Sequence, residues 1–526
     1  MIKINFIKKN LDLILILLIY SLLALFSIRY YVYIGGDEIS YINIAHGYAI
    51  GDFGDAINGY WSPLYSWLMA PFFLSGFTPL YGTLASKTLS LIIGFFTIIS
   101  VKLLLNTLKT SETTQRAVLI SLIPVVLYFT LMYNTPDLLV VFLLIIYFSI
   151  VFKSNYSDKL TYGFLCGFIG ALAYLSKSYA FPFFLAHFML FNLIYYFKDV
   201  NSFKKKNILK NLILGLSVFF VISGVWAGII SEKYDKLTIS TSGEINHDLI
   251  GPEYNLYSMK YIDHPVYRDG LLKPPNKLSN SIWDDMSYLK MKEWGAFDSL
   301  SSFNHQISIF WLNIIYAIQI IESFFPIAAI LVIAMLIFIW KSKSNKIAKE
   351  KLVYLLITMF IYTIGYCFIA IEWRYLWLIF IILIVASFYL VDNLYTSKTI
   401  SSKIRNVLLI ILMISFIIQP ISETIIFSNS ENYYYDLSNT LKNNYGIHGN
   451  IASDSWGDTL TISYYLETKY YGQPKKYYNS NDLQIELENN DIDYYFVGDS
   501  NNTVTLSDYK EITNGKINGL MIYKKI

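Results

Sequence analysis

Charge is scarce in this sequence. Asp, Glu, Lys and Arg make up 15% of its 526 residues, against about 25% in an average soluble domain. Apolar residues make up 55%, and mean hydropathy is +0.45. Soluble domains need polar groups to cover much of their surface, so a purely soluble enzyme is excluded, as is a disordered chain. The net charge of +3 gives no basic field suited to nucleic acid, so no nucleic-acid partner is expected. Cysteine is nearly missing. Cys166 and Cys367 lie inside apolar runs and form no C-x-x-C pair, which leaves neither a disulfide scaffold nor a zinc ribbon. Heptads and fixed-period repeats are lacking too. Aromatics are plentiful, with 45 Tyr and 36 Phe. AT-rich codons alone produce such a bias, so this richness assigns no function by itself.

What fills the chain is apolar sequence in runs near the length of about 20 residues that a membrane helix needs. Spans are predicted at 11–31, 83–105, 117–133, 138–152, 160–176, 180–197, 211–230, 322–340, 352–371, 375–391 and 406–420. The stretch 306–321 reads as an interfacial helix. Basic residues stay on the cytoplasmic side. They occur at Lys3, Lys8 and Lys9, and then in alternate connections: Lys109 and Arg116; Lys153 and Lys159; Lys198, Lys204, Lys205, Lys206 and Lys210; Lys341, Lys343, Lys346, Lys349 and Lys351; Lys398, Lys403 and Arg405. From Val32 to Ser86 there is no Lys or Arg. The expectation is a multi-pass cell-membrane protein of about eleven spans, N-terminus cytoplasmic and C-terminus outside. The first run is longer than a usual signal-peptide core and no A-x-A pattern follows it, so it is expected to be retained.

The expected fold is therefore a polytopic all-α membrane protein with a small C-terminal α/β extracytoplasmic domain. Residues 1–420 form the membrane part, with an outer loop at 33–81 and an outer segment at 231–306. Residues 421–526 form the outer domain. In that tail, Tyr433–Lys442, Asp458–Leu466 and Asp482–Asn489 read as helices; Gly449–Ser453, Tyr494–Val497 and Gly519–Tyr523 read as strands.

A few charges on the outer side are not explained by orientation. Gly35-Gly36-Asp37-Glu38 follows the first span. Two adjacent carboxylates beside a bilayer are costly unless they face a cavity or a partner. Either one acts as a general base toward an acceptor hydroxyl, or the pair complements a helix N-terminus. Further on, Tyr60-Trp61-Ser62-Pro63-Leu64-Tyr65 sets aromatics around a proline. This is an interfacial pattern, and such rings also stack on the C–H faces of sugars. His46 is a hydrogen-bonding loop residue or a substrate contact. Asp137, in Asn134-Thr135-Pro136-Asp137, is turn chemistry or a substrate contact. Lys177 snorkels to the interface or meets a phosphate. In Glu372-Trp373-Arg374-Tyr375, Glu and Arg pair with each other, or Arg374 clamps a phosphate. Asp37, Glu38, Asp137, Lys177 and Arg374 come from four separate connections and map to one face. A phosphate-linked sugar donor needs such cations, and its acceptor needs such carboxylates.

These residues resemble the acidic and basic motifs of the GT-C class of integral-membrane glycosyltransferases, over roughly residues 10–420. The pattern is similar to the protein O-mannosyltransferases and the lipid A aminoarabinose transferases. Asp37-Glu38 resembles the acidic motif after the first span. Ser62-Pro63-Leu64-Tyr65 resembles the second half of a Lys-Pro-Pro-Leu-Tyr-like stretch, with the lysine replaced. Asp137 resembles the acidic residue between the third and fourth spans. Ala173-Tyr174-Leu175-Ser176-Lys177 resembles a Leu-Thr-Lys segment. Glu372-Trp373-Arg374-Tyr375 resembles a Glu-x-Arg-Tyr motif without its following proline. The resemblance implies a polyprenyl- or dolichyl-phosphate sugar as co-substrate and an inverting single displacement to a protein, lipid or glycan acceptor. It implies Asp37 as base with Glu38 in support, and Lys177, Arg374, Glu372 and Tyr375 at the donor phosphate. Asp137, His46, Tyr60, Trp61 and Tyr65 are then expected at the substrate. No cofactor is indicated; a divalent ion on Asp37 and Glu38 is conceivable, but no further ligand set is evident. The alternative class is a transporter or flippase, which usually carries its charges near the midplane and shows repeated halves.

Overall fold

The computed structural model describes residues 2–28, 34–254, 264–341, 346–427, 432–475, 479–498 and 504–526. Lys343 and the predicted end of the first span at 29–31 lie outside the described residues. The apolar runs become helices. Among the described residues, seven of these are long and apolar enough to cross a membrane: Pro79–Leu108, Glu112–Met132, Ala180–Lys198, Ser202–Lys233, Leu300–Phe324, Trp373–Thr396 and Ser402–Ile426. Shorter apolar helices run Leu11–Ser27, Asp137–Val151, Leu160–Ser176 and Ala328–Lys341, and a further helix runs Lys346–Tyr366.

Local chemistry sets several boundaries. Thr78 caps the Pro79–Leu108 helix by accepting from Tyr81 N, and Pro79 starts it where no N–H is needed. The Glu112–Met132 helix begins at Ser111, whose N–H and Oγ both donate to the buried Asp392 carboxylate at 2.9 and 2.5 Å. That bond pins it to the Trp377–Thr396 helix, which is buried on nearly every face and forms the axis of the bundle. Other helices turn apolar faces outward. On the Ser202–Lys233 helix, Val221 and Val225 are both exposed, as expected where lipid replaces water. The same helix closes tightly on Leu160–Ser176 through glycine. A Cβ on Gly167 would lie 2.0 Å from the Gly215 carbonyl oxygen, so only small residues permit this approach.

The predicted span at 322–340 is corrected. The chain breaks between Phe324 and Ala328, because Pro326 lacks an N–H and disfavours helical geometry at Phe325. The preceding helix, Leu300–Phe324, packs along the connection between the Lys346–Tyr366 and Trp377–Thr396 helices. Gln306 donates to Phe368 O and Asn313 to Cys367 O and Ile369 O, while Phe324 stacks on Phe380. Over about 27 Å of helix, these contacts stay at one end of the bundle. Trp311, Ile315 and Ile318 are exposed on it.

Past the last long helix the chain builds a five-stranded sheet. Its strands are β1 (Asn450–Ser453), β2 (Lys469–Tyr470), β3 (Tyr494–Val497), β4 (Tyr509–Glu511) and β5 (Met521–Lys525), in the order β2-β1-β3-β5-β4. β1 runs parallel to β2 and β3; β5 runs antiparallel to β3 and β4. The helices Trp456–Leu466 and Ser480–Asn489 fall where the sequence predicts them. β2 and β4 were not predicted; strands of two and three residues are too short to show an alternating pattern.

This sheet is joined to the membrane helices. Thr461 Oγ1 donates to Ile34 O at 3.1 Å, and Tyr464 OH donates to Pro79 O at 2.8 Å. Its β2 edge is met by the outer segment: Tyr470 N donates to Asn280 O at 2.7 Å and Leu272 N to Tyr471 O at 2.8 Å. The outer segment is thereby held between the sheet and the helix Gly36–Ile50.

Candidate active site

The site is built around the start of the Gly36–Ile50 helix. Gly35 is its N-cap, and Glu38 folds back so that Gly35 N donates to Glu38 Oε2 at 3.2 Å, the one half of a capping box that a glycine cap permits. Glu38 Oε1 accepts from Asn134 N at 3.2 Å. Glu38 therefore ties this helix to the Asn134–Asp137 turn. Burial, with the neighbouring Asp37 charge second, raises its pKa above the ordinary carboxylate range.

Successive residues on a helix project about 100° apart, so Asp37 points elsewhere. It lines a cavity of about 910 Å³. Arg374 Nη2 donates to Asp37 Oδ2 at 2.5 Å, and Trp283 Nε1 donates to Asp37 Oδ1 at 2.8 Å. Arg374 lies on the turn Trp373–Leu376, and its Nε is 2.7 Å from Glu372 Oε2. That second contact is an ion pair not aligned as a hydrogen bond. The guanidinium is flanked by the Tyr133 and Tyr375 rings, at 5.3 and 5.7 Å.

A second carboxylate–cation pair faces the same space. Asp137 opens the Asp137–Val151 helix. Lys177 Nζ donates to its Oδ1, and Thr135 Oγ1 donates to its Oδ2 at 2.7 Å. Lys177 Nζ also sits 3.6 Å above the Tyr375 ring. Tyr375 in turn stacks on Tyr366 at 4.9 Å and donates its hydroxyl to Glu372 at 3.3 Å. All four charged groups are largely withdrawn from solvent, with side-chain exposures of 14% for Asp37, 8% for Arg374, 5% for Asp137 and 21% for Lys177. Charge interactions there are stronger than in water.

Eight of the eleven residues singled out from sequence line this cavity: Asp37, Tyr60, Trp61, Asp137, Lys177, Glu372, Arg374 and Tyr375. The structure does not bring Glu38, His46 or Tyr65 to it. Glu38 is spent on the two backbone N–H groups. The His46 ring stacks on Phe77 at 4.2 Å, and burial lowers its pKa. Tyr65 is fully buried, with its hydroxyl 3.0 Å from Ser90 Oγ and donating to Ser86 O at 3.3 Å. These two face away from the cavity because the Pro63–Met69 helix and the later turns of Gly36–Ile50 pack their apolar faces together.

Several residues at the site were not identified from sequence. Trp283 is the most direct, since it touches Asp37. It lies in the outer segment, where prolines and mixed charge hide any periodicity, although Ser281 and Asp284 form a readable capping pair. Asp284 accepts from Asn43 Nδ2 at 3.2 Å and from Ser281 N at 3.1 Å, anchoring that turn to the Gly36–Ile50 helix. Burial raises the pKa of Asp284. Lys87 is 1% exposed. With the Asn134 amide oriented to satisfy both its neighbours, Lys87 Nζ donates to Asn134 Oδ1 at 3.2 Å, placing a cation behind Glu38. Beside Trp283, whose ring centroid is 5.7 Å away, burial pushes the His264 imidazole down to about 4, so it is neutral at physiological pH.

The arrangement can take a proton at Asp37 and hold an anion at Arg374 and Lys177. Among the described residues no cluster of three His, Cys, Asp or Glu side chains forms a metal-binding set. Both oxygens of Asp37 and of Asp137 already accept from protein donors.

No protein-family model matches the sequence, and no curated protein sequence does. Solved structures do match. ArnT from Cupriavidus metallidurans in the apo state has a TM-score of 0.56 at 11% identity, with 98% of each chain covered. The same protein bound to undecaprenyl phosphate has a TM-score of 0.54 at 11% identity, again with 98% of each chain covered. The Archaeoglobus fulgidus oligosaccharyltransferase in complex with Zn and sulfate has a TM-score of 0.54 at 14% identity, covering 92% of this chain and 68% of that one. The helical bundle with its small C-terminal sheet is thus the fold of the GT-C membrane glycosyltransferases.

Proposed function

We propose that this chain is an integral-membrane glycosyltransferase. It moves a sugar from a polyprenyl- or dolichyl-phosphate donor to a protein, lipid or glycan hydroxyl on the outer face, with inversion. The observation that carries this reading is the cavity itself: Asp37, Asp137, Lys177 and Arg374, from four separate connections, line one space of about 910 Å³. In this mechanism Arg374 and Lys177 hold the donor phosphate, with Glu372 and Tyr375 orienting them. Asp37 accepts the acceptor's hydroxyl proton as its oxygen bonds to the sugar's anomeric carbon. The bond from that carbon to the phosphate oxygen breaks, and the lipid phosphate leaves with the electron pair. Asp137, Tyr60 and Trp61 contact the sugar or the acceptor.

Two further features support the reading. Tyr316, Phe360, Ile361 and Ile364 line one end of the cavity, an apolar surface suited to a polyprenyl chain. A protein of the same fold, ArnT, is described bound to undecaprenyl phosphate. On this reading residues 1–420 form the catalytic membrane part, with the N-terminus cytoplasmic, and residues 421–526 form an extracytoplasmic part that helps to position the acceptor or to cap the cavity. The orientation rests on the distribution of Lys and Arg. The test is transfer by purified protein from a panel of lipid-phosphate sugars, with the product detected by mass. Activity that depends on Asp37 supports the proposal; transfer undiminished in Asp37→Asn overturns the mechanism.

A further inference from the structure

The Asp37 carboxylate is held by two donors of different kinds. Arg374 brings charge and is a group that a donor phosphate would compete for. Trp283 brings a single neutral N–H, which can only donate and which a phosphate has no electrostatic reason to displace. We propose that Trp283 is a positioning residue that keeps Asp37 aimed while Arg374 turns to the donor phosphate. This inference rests on the glycosyltransferase reading above.

The indole is built to hold still. Trp283 O accepts from Trp61 Nε1 at 3.0 Å and from Ser40 Oγ at 3.4 Å, and Trp283 N donates to Ser281 Oγ at 3.2 Å. On the next residue, Asp284 O accepts from Asn58 Nδ2 at 2.7 Å. The indole lies over the backbone of Gly36, directly before Asp37. A Cβ added there would meet Trp283 Cδ1 at 3.2 Å and Nε1 at 3.3 Å, and Leu460 Cδ2 at 3.0 Å. The glycine makes room for the ring that grips the next residue. The segment carrying Trp283 is also paired to the C-terminal sheet through Asn280 and Tyr470, so the sheet helps to fix the aim of Asp37.

With Arg374 drawn to phosphate, Asp37 Oδ2 is freed to take the acceptor proton, while Oδ1 stays on the indole. A carboxylate without that anchor turns about its side-chain bonds and loses alignment with the acceptor oxygen. Misplacement of a reacting group lowers turnover more than it lowers substrate binding.

The experiment compares wild-type protein with Trp283→Phe and with a form carrying β-(3-benzothienyl)alanine at position 283, which keeps the bicyclic shape but replaces N–H by sulfur. Each is assayed for kcat, for KM of donor and acceptor, and for its melting temperature. The expected result is a fall of about tenfold in kcat for both variants, with either KM changed less than about twofold and melting near wild type for the benzothienyl form. Wild-type turnover in the benzothienyl form overturns the proposal, since shape alone then suffices, even if Trp283→Phe misfolds. A rise in KM or a collapse of melting in the benzothienyl form, without a kcat effect at saturation, also overturns it. Wild-type protein that transfers no sugar overturns the functional reading, and the positioning role falls with it.

Discussion

Asp37 and Arg374 stand 337 residues apart in the chain, yet the guanidinium donates to the carboxylate at 2.5 Å in a cavity where both side chains are largely withdrawn from solvent. The two come from opposite ends of the membrane part. One sits at the first turn of the helix after the first apolar run, the other just before the central buried helix. Neither charge is stable there alone, because desolvating an unpaired ion is costly. The pair therefore reports a cavity that the fold actively assembles, and it sets the terms for a substrate phosphate, which must compete with Asp37 for Arg374.

Replacing Asp37 with Asn removes the proposed base with little change in volume. Transfer from a lipid-phosphate sugar is expected to fall by about 10²–10⁴-fold in kcat, while donor binding is kept or tightened, because the neutral amide no longer competes by charge for Arg374. Single-turnover kinetics with labelled donor, alongside a binding measurement on the same preparation, check both parts.

Arg374→Lys keeps the charge and loses the planar fork that reaches Asp37 and Glu372 together. Lysine is a point charge and does not reproduce a two-sided contact. Donor KM is expected to rise by about tenfold or more, with acceptor KM nearly unchanged. Steady-state kinetics varying each substrate separately test this.

Glu38→Gln separates the two adjacent carboxylates by role. Glu38 has its pKa raised in the folded state by burial and by Asp37. A carboxyl raised on folding contributes stability that is complete below its ordinary value of 4.5 and is lost as pH climbs through the raised folded value. The wild type should lose this component of melting temperature as pH rises above about 4.5, and Glu38→Gln should not. Turnover near neutral pH should be largely kept. Glu38→Ala strands the Gly35 and Asn134 N–H groups and should cost about 1–3 kcal/mol. Thermal melts across pH in detergent decide the matter.

Gly36→Ala places a methyl group against the Trp283 ring and Leu460. Either neighbour must shift by a few tenths of an ångström. The expected outcome is a loss in kcat of up to about tenfold without a comparable change in donor KM. Unchanged kcat with normal folding would show that the indole can move without disturbing Asp37.

The sequence alone determined the class of environment and much of the scaffold. Long apolar runs become helices because lipid leaves backbone groups no partner but each other. Lone charges at the ends of those runs were conspicuous against a 15% charged background, which is why Asp37, Asp137, Lys177 and Arg374 could be read before any geometry was known. In the tail, the Trp456–Leu466 helix and β3 were legible from local pattern.

Tertiary structure alone decided which of two neighbouring carboxylates faces the cavity. That depends on the rotation of one helix, fixed by Glu38 bonding to Gly35 and to Asn134, 96 residues away. It also decided that Trp283 meets Asp37 across 246 residues. No local pattern encodes that contact, because the outer segment takes its shape from the sheet on one side and the Gly36–Ile50 helix on the other. Periodicity reports which face of an element is buried. Which side chains meet is set by the packing of elements that the chain brings together from a distance.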